Sequence, residues 1–192
     1  MSKRIALLTA AAFGALALTA TLVAPVSAQD KMKSEMSGEK TVMVGGAAMF
    51  PSKNIIQNAV NSKDHTTLVA AVKAAGLVDT LEGKGPFTVF APTNAAFGKL
   101  PAGTVDTLVK PENKATLTKI LTYHVVPGKL EASDLTDGKK LKTVQGEELT
   151  VKRSGDNVMI IDAKGGSSTV TIPNVNQSNG VIHVVDTVLM PS

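Results

Sequence analysis

Cysteine is absent from the chain, so the fold does not depend on disulfide bonds. Stability must then come from an ordinary apolar core, and a domain of about 140 residues is long enough to form one. The same absence excludes a lipid anchor attached through cysteine and a cysteine nucleophile. Catalysis through a thiol and attachment of a lipid to a thiol are therefore not open to this chain.

Aromatic residues and surplus charge are also scarce. The chain has one tyrosine, five phenylalanines and no tryptophan, so no row of aromatic side chains is available for stacking with bases. The formal net charge is +4, from 20 basic and 16 acidic residues. Without Lys3 and Arg4 it falls to +2, and the remaining lysines are scattered. This composition argues against nucleic acid as a partner.

The amino-terminal 28 residues contain the one long apolar run of the sequence. Lys3 and Arg4 precede IALLTAAAFGALALTATLVA, and the small residues of VSA provide a cleavage site after Ala28. The run is rich in alanine and threonine and thus weakly hydrophobic, which favours removal over retention as an anchor. No later stretch approaches the roughly 20 apolar residues that span a bilayer. We therefore expect a signal peptide over residues 1–28 and a secreted or periplasmic mature protein without a membrane span.

Residues 29–49 are polar and show neither a helical nor a strand period. We expect a flexible lead-in there and a folded domain over residues 50–192. Thioether sulfur binds cuprous copper, and the lead-in contains four loosely spaced methionines: Met32, Met36, Met43 and Met49. A periplasmic copper-associated protein is therefore the alternative function, although the same composition suits a solvated linker.

Helical patterns occur early in the domain and strand patterns late. The segment DHTTLVAAVKAAGL has helical spacing, with Asp64 as its expected N-cap and Gly76 near its end. Helical patterns recur in NAAFGKLP, AGTVDTLV and NKATLTKILTYH, whereas PFTVFAP is typical of a buried strand. Beyond Gly128, β-prone segments alternate with turn sequences: LKTV, ELTVKR, NVMIID, STVTI and GVIHVVDTVLM. This order predicts one α+β domain with a largely antiparallel sheet.

The tripeptide His-Val-Val occurs twice, beginning at His124 and at His183. Apolar side chains alternate on both faces of the last run, so we expect His183 on a central strand covered on both sides. Histidines in such places are usually neutral and hydrogen-bonded. No Gly-x-Ser-x-Gly, His-Glu-x-x-His or phosphate-binding loop accompanies them. We predict structural histidines and no catalytic residues, while convergence of the three histidines, including His65, on a zinc ion is left open.

Three segments, in this order, resemble the signatures of the fasciclin domain family: GPFTVFAPTNAAFGKLP, ILTYHVVPGKL and NVNQSNGVIHVVDTVLMP. In the first, Pro92 ends the strand, and Thr93 or Asn94 can cap the following helix. The entry segment VGGAAMFPSKNIIQNAVNSKDHTTLVAAV is similar to bacterial members. The resemblance covers nearly all of the mature chain. It implies a fasciclin-like, wedge-shaped β-sandwich with several α-helices packed on it and no cofactor.

The resemblance also implies a function, because family members are mostly surface, matrix or secreted proteins used in adhesion. In animal relatives the Tyr-His segment and a short acidic motif before the closing Asn-Gly are implicated in receptor binding. The matching positions here are Tyr123, His124, Val125, Val126 and Pro127, followed by Asn174 and Val175. No acidic residue lies between Ile172 and Gly180, so integrin-type recognition through a carboxylate is not expected.

The expected protein is thus a non-enzymatic, exported adhesion or protein-interaction module, monomeric and without a bound metal. Its partner would be a surface or matrix protein or a polysaccharide, contacted through loops at one end of the sandwich. A second interpretation of Tyr123 remains open. A buried tyrosine whose hydroxyl reaches a polar partner is commoner than an exposed contact residue.

Overall fold

The computed structural model describes residues 40–192, so the predicted signal peptide and most of the predicted lead-in lie outside the described residues. This part of the chain contains six α-helices: α1 Ile55–Ala59, α2 Thr66–Ala75, α3 Val78–Glu82, α4 Asn94–Gly98, α5 Thr104–Leu108 and α6 Lys114–Tyr123. Single 3₁₀ turns occupy Lys63–His65 and Pro111–Asn113. None of the helices within residues 40–192 has the length and apolar character needed to cross a membrane.

The described residues also form nine strands: β1 Val42–Val44, β2 Ala47–Met49, β3 Phe87–Pro92, β4 Val125–Pro127, β5 Lys140–Lys142, β6 Glu148–Ser154, β7 Asn157–Ile161, β8 Ser167–Gln177 and β9 Gly180–Val185. Seven of them make one sheet in the order β4-β3-β9-β8-β7-β6-β5. Strands β3 and β9 run parallel, and all other neighbours in that sheet are antiparallel.

The two edge strands of this sheet approach each other. The backbone N–H of Val144, just beyond β5, donates to the carbonyl of Val125 in β4 at 2.8 Å. The sheet therefore curls almost into a barrel, with helices packed on one part of it. The predicted α+β class, with a sandwich-like sheet and several helices, is confirmed.

Two apolar cores lie on opposite sides of the curled sheet. The inner core contains Phe90, Tyr123 and Leu135, whereas the outer core lies between the sheet and helices α2 and α6. Every residue of β9 is buried, and its side chains serve both cores. Ile182 belongs to the helix side and Val185 to the inside. The expected central strand, covered on both faces, is confirmed.

Local capping explains where the helices begin and end. Thr93 caps α4 by accepting a hydrogen bond from the backbone of Ala96 at 3.2 Å, and Gly76 ends α2 with φ of 73°. The predicted N-cap at Asp64 is wrong. That residue lies inside the 3₁₀ turn, and α2 begins only at Thr66.

The predicted flexible lead-in is also wrong over residues 42–49, which form an antiparallel hairpin of β1 and β2. Its turn consists of Gly45 and Gly46, with φ of 57° and 76°. Val44 and Met49 are each 3% exposed and belong to the helix-side core. Strands of three residues are too short to show a period, so the alternation was hidden. The folded part therefore includes this hairpin.

Candidate functional site

Tyr123 lies at the end of α6 and has no exposed surface. Its hydroxyl accepts a hydrogen bond from the backbone N–H of Ala163 at 2.8 Å and donates to the carbonyl of Glu148 at 3.4 Å. Burial raises the pKa of the phenol above its usual value, which keeps it protonated. The side chain joins α6 to strand β6 and to the loop after β7, so a partner cannot reach it in this conformation.

His124 follows Tyr123 and is 2% exposed. Its Nδ1–H donates to the carbonyl of Ile120 at 2.9 Å, and its Nε2 accepts from the backbone N–H of Leu189 at 3.0 Å. A carbonyl can only accept and a backbone N–H can only donate, so the ring is the neutral tautomer protonated on Nδ1. Burial lowers the pKa of His124 to about 4, against a smaller upward effect of the Ile120 carbonyl. Neither ring nitrogen is free for a metal ion or a proton transfer.

His183 is held in the same manner in the middle of β9. Its Nε2–H donates to the carbonyl of Leu130 at 2.8 Å, and Nδ1 lies 3.4 Å from the backbone N–H of Asn174. The ring stacks on Phe90, with centroids 5.7 Å apart. Burial is the main cause that lowers its pKa. In both His-Val-Val tripeptides the imidazole is therefore neutral and buried, and both of its nitrogens have hydrogen-bond partners.

A bulge in β8 places Asn174, from the second predicted segment, against the loop that follows β4. Ile172 and Val175 face Val184 and Ile182 of β9, so two residues of β8 stand opposite His183 alone. One of the two, Asn174, has φ of 57°, and its Oδ1 accepts a hydrogen bond from the backbone N–H of Ala132 at 2.7 Å.

The structure leaves little of the predicted binding set at the surface. Its buried members are Tyr123, His124, Val125, Val126 and Val175. Pro127 is exposed and Asn174 is half-buried. The binding role of the set stays a prediction, and only these last two residues present atoms to a partner. The sequence pattern could not separate them, because both faces of β4 and β9 are apolar.

Residues 127–132, which we call the 127–132 edge, begin in the first predicted segment and contact Asn174 of the second. Thr88 is its anchor, since its hydroxyl donates to the carbonyl of Gly128 at 2.6 Å and accepts from the N–H of Leu130 at 2.9 Å. Sequence reasoning missed Thr88 and the residues after Pro127. The Pro-Gly pair is a turn signal, but it does not indicate what the turn packs against.

A buried serine–histidine pair was missed as well. The Oγ of Ser62 lies 2.9 Å from Nδ1 of His65, and both residues are buried. Burial lowers the pKa of His65, while the backbone of Ala91 and the charge of Asp64 act in the opposite direction. The ring borders an apolar cavity of about 40 Å³ between the helices and the sheet. Ser62 and His65 are three residues apart, a spacing that can bring two side chains together within one turn. This spacing is the sequence signal that could have revealed the contact.

Metal ligands do not gather in the part of the chain that the structure describes. No group of three or more histidine, aspartate or glutamate side chains in residues 40–192 could hold a metal ion. Of the methionines behind the copper hypothesis, Met32 and Met36 lie outside the described residues. Met43 is 60% exposed, whereas Met49 lies in the core. These two sulfur atoms therefore do not face the same surface.

Comparison with known proteins agrees with the architecture. The model of the fasciclin domain family matches residues 63–191. Protein sll1483 of Synechocystis sp. is 49% identical over 153 residues, which are 80% of this chain and 82% of that protein. Cell surface glycolipoprotein MPB83 of Mycobacterium bovis is 41% identical over 153 residues, 77% of this chain and 64% of that protein.

Among solved structures, a FAS1 domain pair from the insect cell adhesion molecule fasciclin I has a similar fold. The TM-score is 0.65 at 20% sequence identity, over 73% of this chain and 52% of that one. At this identity the likeness concerns the fold alone. The family model, however, covers well over half of the sequence, and the relatives are similar over most of it. The chain belongs to the fasciclin domain family.

Proposed function

We propose that the protein is a non-enzymatic, exported adhesion or protein-interaction module whose contact region is the 127–132 edge. The family supports the general part of this proposal, since its relatives include a cell surface glycolipoprotein and a cell adhesion molecule. The absence of enzymatic function is supported by the histidines. His124 and His183 have both ring nitrogens engaged, and His65 is buried with Ser62.

The observation that carries the choice of surface is the way in which this edge is held. Side chains from three different elements hold its backbone: Thr88 of β3, Asn174 of β8 and His183 of β9. The N–H of Gly128 also donates to the carbonyl of Pro86 at 2.9 Å. A loop fixed at so many points loses little conformational entropy when a partner binds it, and less of the binding free energy is then spent on ordering.

The outward side of the edge is small and mixed in chemistry. Pro127 and Lys129 are exposed there, and Pro173 is exposed on the neighbouring bulge. The ammonium group of Lys129 lies 3.5 Å from the carboxylate of Glu131, with both side chains more than 40% exposed. Exposed ion pairs contribute little to stability, so Lys129 is free to turn to an acidic group of a partner protein. The prolines offer rigid apolar contact beside it.

Surface variants of the edge test this proposal. The double variant Pro127→Ser with Lys129→Glu changes exposed atoms only, and Lys73→Glu on α2 is a matched charge reversal at an exposed position away from the edge. Each protein is immobilised and exposed to a surface extract of the organism that expresses it, and retained proteins are quantified by mass spectrometry. Thermal unfolding must be alike for all three.

We expect a partner that is retained by the unchanged protein and by Lys73→Glu, but is reduced about tenfold or more by the edge variant, since charge reversal beside a contact costs on the order of 1–2 kcal/mol. Equal retention by the edge variant would show that the contact lies elsewhere. Retention of nothing beyond what a heat-unfolded control retains would contradict the interaction function itself.

A further inference from the structure

One half of the sheet has a bare outer face. Helices α1, α4 and α6 pack against strands β9, β3 and β4. Within residues 40–192 no helix packs extensively against strands β5, β6 or β7, whose main contacts are with other strands. We call the outer side of these three strands the lysine face. Its members are Lys140, Lys142, Glu148, Thr150, Lys152, Met159 and Ile161.

Strand alternation places the lysines outward. Leu141 and Leu149 are opposite each other and buried, at 3% and 0% exposure. Their neighbours on β5, Lys140 and Lys142, must then point away from the core, and both are exposed. The pattern is the same on β6, where Lys152 follows the fully buried Val151.

The register brings the three ammonium groups into one patch. Lys140 is opposite Thr150, and Lys152 is two residues further along the same strand. Two residues along a strand span about 7 Å, and neighbouring strands are about 5 Å apart. Lys142 is therefore about 7 Å from Lys140 along β5, and Lys152 lies at a similar distance from Lys140, diagonally across on β6 and in the opposite direction.

Among the side chains of this face Glu148 is the one carboxylate, and Asp137 lies at the edge of β6, where its Oδ1 accepts a hydrogen bond from the backbone N–H of Arg153 at 2.8 Å. Glu148 lies 3.4 Å from the ammonium of Lys140, and the two side chains are 52% and 69% exposed. Such a pair opens readily because water screens it. Lys142 and Lys152 make no ion pair within residues 40–192. The face therefore carries positive charge that the described part of the chain leaves uncompensated.

Apolar surface borders the lysines on the next strand. Met159 is opposite Lys152, and Ile161 is opposite Thr150. Both apolar side chains are half-buried, so only part of each is accessible between the lysines. They can contact a flat ring but cannot insert between lipid chains as a membrane anchor does. No aromatic side chain is present on these strands for stacking with nucleic acid bases.

We propose that the lysine face binds an acidic polysaccharide built from uronic acid residues. Its carboxylates would meet Lys140, Lys142 and Lys152, while the C–H face of a sugar ring would lie on Met159 and Ile161. This inference goes beyond the protein contact proposed at the 127–132 edge and uses different strands. Either surface can therefore fail its test without the other.

The test is binding of polygalacturonate to the mature protein, measured by calorimetry or surface plasmon resonance at near-physiological salt. The triple variant Lys140→Gln, Lys142→Gln and Lys152→Gln removes the charge of the face. Losing three ammonium–carboxylate contacts should raise the Kd by about tenfold or more and flatten its dependence on salt. Unfolding curves check that the variant is folded.

A second triple variant controls for net charge: Lys73→Gln, Lys110→Gln and Lys114→Gln, all at exposed positions on the helical side. It should change the Kd by less than about twofold if the position of the charge matters. Dextran, a neutral polymer, should not bind. Polyglutamate, which has carboxylates without sugar rings, should bind about tenfold more weakly.

Three results would overturn the proposal. Equal weakening by both triple variants would mean attraction by overall charge. Equal affinity for polyglutamate would mean that no sugar is recognised, and absence of polygalacturonate binding would refute the site directly.

Discussion

Mild acid should destabilise this fold through its buried histidines. His65, His124 and His183 are 3%, 2% and 0% exposed, and burial lowers the pKa of each below the usual value of 6.5. The unfolded chain takes up protons at pH values just below 6.5, whereas the folded chain does not. Stability from the neutral rings is therefore fully present above pH 6.5, and it is lost as the pH falls from there towards the folded-state pKa.

The size of the effect follows from His124, whose pKa in the folded state is about 4. One pKa unit corresponds to about 1.4 kcal/mol, so this ring accounts for roughly 3 kcal/mol between pH 6.5 and its folded-state value. Between about pH 7.5 and about pH 5.5 the loss is about 1.4 kcal/mol for this ring alone. His65 and His183, whose pKa values are also lowered by burial, add losses of the same sign.

Urea unfolding followed by circular dichroism across this interval measures the loss as a falling midpoint. NMR tests whether His124 contributes to this loss. If its ring stays neutral in the folded protein, its ring protons should not shift with pH in this interval. Lys73→His provides the control, because a histidine at that exposed position should titrate near 6.5. A midpoint independent of pH, or a His124 signal that moves together with the control histidine, would refute the reasoning.

Three further substitutions, each followed by urea unfolding, test the packing. Asn179→Ala removes buried hydrogen bonds at 3.1, 2.7 and 2.9 Å to the backbone of α1, α3 and the turn after α3, and should cost roughly 2–4 kcal/mol. Tyr123→Phe should keep the fold but cost about 1–3 kcal/mol, because it leaves a backbone N–H without its acceptor. Gly180→Ala would drive a methyl carbon into the carbonyl oxygen of Phe87 and should cost about 3 kcal/mol or more. Its control, Gly98→Ala in α4, meets nothing within 4 Å and should stabilise by about 0.5–1 kcal/mol.

The elements of the fold were largely predictable because the signals that form them act over a few residues. Thr93 caps the helix that follows it, Gly76 ends the helix before it, and the alternation along GVIHVV indicated a strand buried on both faces. The hairpin at residues 42–49 was missed because it offers too few residues for such a local signal. With three residues in each strand, its pattern is too short to stand out from a linker.

The candidate site depended on distant contacts. Seven residues were predicted for binding, and nothing in their local pattern separates Pro127 from the four buried residues before it. What separates them is packing against the curled sheet. The edge beside Pro127 is held by Asn174, 42 residues away from the backbone group it binds, and by His183, 53 residues away from its partner.

The sequence by itself determined the family and most of the secondary-structure elements, because these follow from near neighbours or from a motif. The neutral state of His124 and His183 was expected from their apolar neighbours, but the partners that fix it, Leu189 and Leu130, are 65 and 53 residues away. The tertiary structure alone decided which atoms meet solvent. Exposure is set by what the rest of the chain places on top of a residue. The rigid 127–132 edge and the bare lysine face both result from that placement.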